Sequence, residues 1–221
     1  MALDLQEQEE LENVKRIWHS WLKWVVLFLL IAAGVYFFYT AWETYQKSRN
    51  EKATDLLMEF QSLVEHKEQS KALMMLKELQ EKYADTMPAT IATAALGAQA
   101  FYTNEVGSAE KHFMWIYKHQ KNELVRAITI IDLAKIKMQQ RKFDEALNLL
   151  KEKVPTELAF LFEDLKGDIE MAKGDNIEGE KAYDRAISFL PKPNEVITAD
   201  DIAEVRSQIE AKKLIQLPKT P

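Results

Sequence analysis

The chain has 221 residues, a formal net charge of −6 and no cysteine. The missing thiols exclude disulfides, zinc–thiolate centres and cysteine nucleophiles. Acids and bases are intermixed with acids in excess, which argues against nucleic-acid binding, because that requires a basic stripe.

The chain starts with an acidic head, residues 1–22, in which the acids run from Asp4 to Glu12. Between Lys23 and Glu43 come nineteen uncharged residues, WVVLFLLIAAGVYFFYTAW. A membrane helix needs about 20 apolar residues to cross about 30 Å of hydrocarbon. A core helix of that length rarely lacks charge on every face. A cleaved secretory signal has a shorter apolar core of about 7–15 residues. Ala32, Ala33 and Gly34 mimic a cleavage site, but Val35 to Tyr39 prolong the run with bulky side chains. Trp18, Trp21 and Trp24 mark one end and Tyr39, Trp42 and Tyr45 the other, as amphipathic rings do at headgroup level. Residues 23–43 are therefore expected to stay as a single lipid-contacting span. Lys15, Arg16 and Lys23 before it balance Lys47, Arg49 and Lys52 after it, so basic charge does not orient the helix.

From Asn50 onward apolar residues recur every three or four positions: Leu56, Leu57, Phe60, Leu63 and Val64, then Leu73, Leu76, Leu79 and Tyr83. That spacing is helical, and Ala, Leu, Glu, Lys and Gln favour helix. With the turn signals it predicts helices over 47–66, 70–84, 88–103, 107–120, 122–140, 143–152, 156–173, 176–189 and 198–215.

The helices pair and the pairs repeat. Gly97, Ala134 and Gly167 are spaced by 37 and 33 residues. Twelve positions after each come Ala109, Ala146 and Gly179, and four further on Phe113, Leu150 and Tyr183. Small residues let paired helices approach, and the large residue fills the seam. The pattern resembles the tetratricopeptide repeat, whose period is about 34. Gly174, Ala186 and Pro191 agree with its turn glycine, next small contact and terminator. Departures are the absent early Trp, Lys137 or Glu170 in place of a Tyr, and Arg141 at the turn-glycine position. A weaker unit at 50–84 carries Ala72 and Leu76 in register. Thr198 followed by Asp201 is a capping-box-like start for a last helix with a thin apolar face, Ile202, Val205 and Ile209, suited to covering an open stack end. The expected fold is all-α: a transmembrane helix, then a tetratricopeptide-like helical-repeat (α-solenoid) domain over 47–221 with a C-terminal capping helix.

Catalytic patterns are missing: there is no G-x-S-x-G, no G-x-x-x-x-G-K and no G-x-G-x-x-G. His112 and His119, with Glu110 nearby, stand seven apart, whereas metal pairs on helices usually stand four apart. Gly174-Asp175-Asn176 lacks the oxygens of a calcium loop. Glu163, Asp164 and Asp168 read as a solvated acidic face. No catalytic, cofactor or metal site is expected, and the chain reads as a non-enzyme. In such stacks the first helix of each pair lines a concave surface. The frame places Phe101 and Tyr102 there, then Ile131, Lys135 and Met138, then Asp164, Asp168 and Met171. Flexible Met and aromatic side chains repack around varied ligands. Alternatively, the same apolar residues form the core between repeats.

The order of acidic head, span and degenerate repeats resembles the ancillary SecYEG translocon subunit family (YfgM-like) of Gram-negative bacteria. The residues that carry the likeness are VKRIWHSW, the span, YQKSRNEKATDLLMEFQ, and LKGDIEMAKGDNIEGEKAYDRAI with Leu165, Gly167, Lys173, Gly174 and Asp175. The resemblance implies a cytoplasmic N-terminus, periplasmic repeats and an inner-membrane location. It also implies association with the SecYEG translocon and with a membrane-anchored peptidyl-prolyl isomerase of the PpiD type. The implied role is helping newly translocated proteins on to periplasmic chaperones. Two other readings stay open: a cytosol-facing tetratricopeptide receptor or envelope scaffold, and an enzyme with an unrecognised site. The receptor type that clamps a terminal carboxylate uses basic and amide residues, and here only Lys135 lies on the wall.

Overall fold

Four helix hairpins in this chain are closed by one and the same turn. One or two residues after each first helix the chain takes positive φ: Lys67 at 60°, Asn104 at 63°, Arg141 at 60° and Gly174 at 97°. The next backbone N–H reaches back five residues, Glu68 to Leu63 O, Glu105 to Ala100 O, Lys142 to Lys137 O and Asp175 to Glu170 O, at 2.8–2.9 Å. This is the Schellman closure, which satisfies carbonyls orphaned at a helix end. The turns are 37, 37 and 33 residues apart, the spacing of the small residues seven positions before the last three. Arg141 therefore adopts the turn-glycine conformation although it is not glycine.

The computed structural model describes residues 3–194 and 196–216, with side chains described for Lys15, 21–194 and 196–214. The chain divides into two compact units, Met1–Lys52 and Ala53–Pro221. The helices are α1 (Leu3–Glu65), α2 (Gln69–Lys82), α3 (Met87–Tyr102), α4 (Val106–His119), α5 (Glu123–Gln139), α6 (Phe143–Leu149), α7 (Ala159–Lys173), α8 (Asn176–Ser188) and α9 (Ala199–Gln216). The helix expected at 47–66 is not separate, because no glycine or proline interrupts 44–52 and the span continues into it. Likewise α6 ends at Leu149, and 156–158 form a 3-10 turn before α7. Pro155 keeps Val154 out of the helical region, so α6 and α7 cannot run into one helix.

In the first unit, the apolar side chains of 21–45 are exposed apart from half-buried Val25, from Trp21 (61%) to Tyr45 (57%). Among the described residues this is the one helix long and apolar enough to cross a membrane. Its threonine hydroxyls are satisfied internally, Thr40 donating to Tyr36 O and Phe37 O at 3.0 Å and Thr44 to Thr40 O at 2.9 Å. That meets the demand of a medium without water. Of the head's side chains, those of 1–14 and 16–20, Trp18 among them, lie outside the described residues.

In the second unit, α3 packs with α4, α5 with α6 and α7 with α8, while α4–α5 and α6–α7 contacts join successive pairs. The small–large seams are filled. Ala109, Ala134 and Ala146 have no exposed surface, and Phe113, Leu150 and Tyr183 are buried. In the first pair Phe60 takes the position of the small residue, opposite Ala72 and Leu76 in one core cluster. Lys137, where the repeat pattern usually has a Tyr, is mostly buried and bridges Glu110 at 2.9 Å and Glu145 at 2.7 Å, tying α4, α5 and α6. At α9, Thr198 and Asp201 form the reciprocal cap, backbone N of Asp201 donating to Thr198 Oγ1 at 3.2 Å and that of Thr198 to Asp201 Oδ2 at 2.9 Å. Ile209 of α9 is buried against Met171, Tyr183 and Ala186, with Val205 packed beside it.

Candidate functional site

The first helices of the second to fourth pairs, α3, α5 and α7, begin at defined points. Thr86 caps α3 by accepting from Ala89 N at 3.5 Å. Asn122 caps α5, accepting from Leu124 N and Val125 N at 3.0 and 3.1 Å. The seams then fix which face of each helix remains outside. Six positions before Gly97, Ala134 and Gly167 stand Ile91, Ile128 and Leu161. All three are exposed, at 45%, 47% and 36%. An apolar row in the same position of three successive repeats is a surface feature of the stack. Sequence reasoning missed it, although counting back from the small residues would have found it.

Of the residues expected on the wall, Tyr102 is the most exposed, at 87%, and Phe101 sits edge-on to it with ring centroids 6.4 Å apart. Lys135 is exposed and Met138 half-buried. Asp164 and Asp168 are half-buried. Ile131 and Met171 are buried and belong to the core instead. Met171 fills the space beside Gly179, where a Cβ would lie 2.8 Å from its Cγ. The wall therefore brings Phe101, Tyr102, Lys135, Asp164 and Asp168 to the surface side and loses two apolar members to packing.

A groove of about 240 Å³ opens between α3 and α5, lined by Ala94, Ala98, Phe101, Tyr102, Asp132 and Lys135. Asp132 makes no hydrogen bond or ion pair among the described residues. Burial pushes its carboxyl above the ordinary aspartate value, opposed only by the charge of Lys135. On α7 the acidic pair is answered from α9: Lys212 Nζ donates to Asp164 at 2.8 and 2.9 Å and to Asp168 at 3.0 Å. Burial pushes Asp164 upward as well, against the Lys212 hydrogen bond. Glu163 behaves differently. Burial alone would raise it, but Lys166 and Arg185 (2.7 Å) together hold it low.

Among the described residues the histidines do not converge. Glu110, the carboxylate nearest His112 in sequence, is committed to Lys137 and to Gln140, which donates at 2.8 Å. His119 stacks on Trp115 at 4.4 Å. Among the described residues no group of three or more His, Asp or Glu is placed to hold a metal.

A tetratricopeptide repeat-like domain family matches residues 15–204. The ancillary SecYEG translocon subunit of Neisseria gonorrhoeae is 32% identical over 193 residues, covering 87% of this chain and 92% of the relative. That of Haemophilus influenzae is 22% identical over 186 residues, 84% and 91% of the two chains. No solved structure matches. With its all-helical repeats, its apolar N-terminal helix and these similarities along most of its length, the chain belongs to the ancillary SecYEG translocon subunit family.

Proposed function

We propose that this protein is a membrane-anchored binding module of the SecYEG translocon that receives newly translocated polypeptides and passes them to periplasmic chaperones. The anchor is residues 23–43, the head 1–22 is cytoplasmic, and the repeats within 47–221 are periplasmic. A membrane-anchored peptidyl-prolyl isomerase is a second partner. The wall of α3, α5 and α7 is the polypeptide-binding surface, and the protein acts by binding, not by catalysis. The observation that carries this reading is the pairing of an apolar stretch whose large side chains between Trp21 and Tyr45 are nearly all exposed with a repeat stack whose first helices leave Ile91, Ile128 and Leu161 uncovered. Uncovered apolar side chains in register mark an interaction surface, and a membrane anchor raises the local concentration of that surface beside a membrane channel.

Reporter fusions after residue 221 in a Gram-negative host test the topology. Activity of a periplasm-only reporter is expected; activity of a cytoplasm-only reporter would overturn the periplasmic assignment and favour a cytosol-facing receptor. Recovery of SecYEG with the affinity-tagged chain tests the partner. Replacing 24–42 by an unrelated span of equal length should leave that recovery intact if the span is a tether, and abolish it if the span itself is recognised.

A further inference from the structure

The groove between α3 and α5 carries a chemistry that a general apolar wall lacks. Its floor and sides are small or aromatic, Ala94, Ala98, Phe101 and Tyr102, yet Asp132 presents a carboxylate to it. Burying a carboxylate without a partner is unfavourable, and an arriving cation relieves it. Aromatic faces also attract cations, so Phe101 and Tyr102 favour the same ligand. The molecule already shows how this wall treats an amine. One turn-pair further along the stack, Lys212 lies against Asp164 and Asp168 at 2.8–3.0 Å. It also stands 5.8 Å from the centre of the Tyr183 ring. Asp132 is the acidic group of this wall that has no such amine.

The apolar row lies alongside. Ile128 precedes Asp132 by four residues, so the two share a face of α5, about 6 Å apart along the axis. A chain crossing Ile91, Ile128 and Leu161 therefore passes within one helical turn of the carboxylate. Lys135 opposes a cation, but its side chain is exposed, where water screens it, whereas Asp132 is half-buried. We infer that the α3–α5 groove selects unfolded polypeptide segments in which a lysine or arginine is flanked by large aliphatic residues, the aliphatic side chains covering Ile91 and Ile128 and the cation pairing with Asp132. The inference rests on the reading of the α3–α5–α7 wall as a binding surface.

The test uses the full chain in lipid nanodiscs, with empty nanodiscs as the blank. Three short unstructured fluorescent peptides are compared, identical in leucine content and differing only in carrying arginine, glutamine or glutamate. The arginine peptide should bind about tenfold tighter than the glutamine one, as expected for one charge-assisted hydrogen bond. The glutamate peptide should bind most weakly. Asp132→Asn keeps the side-chain shape and should reduce the arginine preference to nearly nothing. Ile128→Gln should weaken all three alike. Equal binding of arginine and glutamine peptides, or a preference that survives Asp132→Asn, overturns the cation selectivity but leaves the wall in place if Ile128→Gln still weakens binding. Absence of binding by every peptide, or indifference of all three to Ile128→Gln, overturns the wall reading itself.

Discussion

Tyr183 occupies the space that Gly167 leaves open: a Cβ on Gly167 would stand 2.4 Å from Tyr183 Cε1 and 2.5 Å from Cδ1. The ring cannot swing away freely. It is 1% exposed, and its hydroxyl donates to Asp168 at 2.8 Å. Gly167→Ala should therefore destabilise the protein, overpacking costing about 1–3 kcal/mol against a helix-propensity gain of about 1 kcal/mol. Ala146→Leu meets the same obstacle at the preceding seam without the propensity gain and should cost about 1–3 kcal/mol. Gly107, with nothing within 4 Å of a would-be Cβ, is the control, and Gly107→Ala should not lower the melting temperature. Unchanged melts for both Gly167→Ala and Ala146→Leu would mean that the helices do not pack in this register.

The turns supply an opposite effect. Lys67 and Arg141 hold φ near 60°, a region that costs a residue with a Cβ roughly 1–2 kcal/mol. Lys67→Gly and Arg141→Gly should each stabilise the fold by about 1 kcal/mol, the strain relief exceeding the added flexibility of the unfolded chain. Asn104→Gly should gain less, because asparagine tolerates the left-handed region. Chemical denaturation reads all three, and a loss of stability in Arg141→Gly would contradict the turn geometry.

Asp132 makes stability depend on pH in an uncommon direction. Its folded carboxyl is raised by burial from the ordinary value of 3.8. Between that value and the raised one, the folded protein holds more protons than the unfolded chain. Stability contributed by this group therefore falls as pH rises through the window. Asp132→Asn should be more stable than the natural chain at neutral pH, and the difference should close as pH drops below the ordinary aspartate range. A variant that is less stable at neutral pH would show that the carboxylate has a stabilising partner.

Lys212 should act as the fastener of α9. That helix buries Ile209 but leaves most of its length exposed, so its hold depends largely on ion pairs, Lys212 with Asp164 and Asp168 on α7 and Lys213 with Asp184 on α8. Hydrogen bonds to charged groups contribute about 1.5–3 kcal/mol when well placed, less where solvent reaches them as it does here. Lys212→Ala should cost about 1 kcal/mol globally and expose α9 to limited proteolysis ahead of α7 and α8. Equal cleavage rates in variant and natural chain would show that α9 is held without Lys212, by packing and the Lys213–Asp184 pair.

The repeats were legible because their seams are written in size. Gly97 with Phe113 and Gly167 with Tyr183 can be read from spacing, and so can the Thr198–Asp201 cap. What could not be read was rotation. Ile131 and Met171 look alike in a helical projection to neighbours that stay outside, and only the facing helices decide which ones are covered. Met171 is drawn inward by the absence of a side chain at Gly179. Asp132, conversely, was passed over because a lone acid in a helix signals nothing until its surroundings are known. The unbroken α1 was hidden for another reason: polar and apolar stretches of helix obey the same backbone rules, and 44–52 contain no breaker to divide them.

The buried members of each core cluster come from three consecutive helices and their caps: α1 to α3, α3 to α5, α5 to α7, and α7 to α9. None of these clusters waits for a distant part of the chain. The entropy of closing large loops, which slows folds built on non-local pairing, is thus largely avoided. Nearest-neighbour stacking lets order begin at one repeat and spread to the next. Such a domain can acquire structure progressively during synthesis, its first hairpin already packed against α3 while the residues of α9 have yet to be joined to the chain.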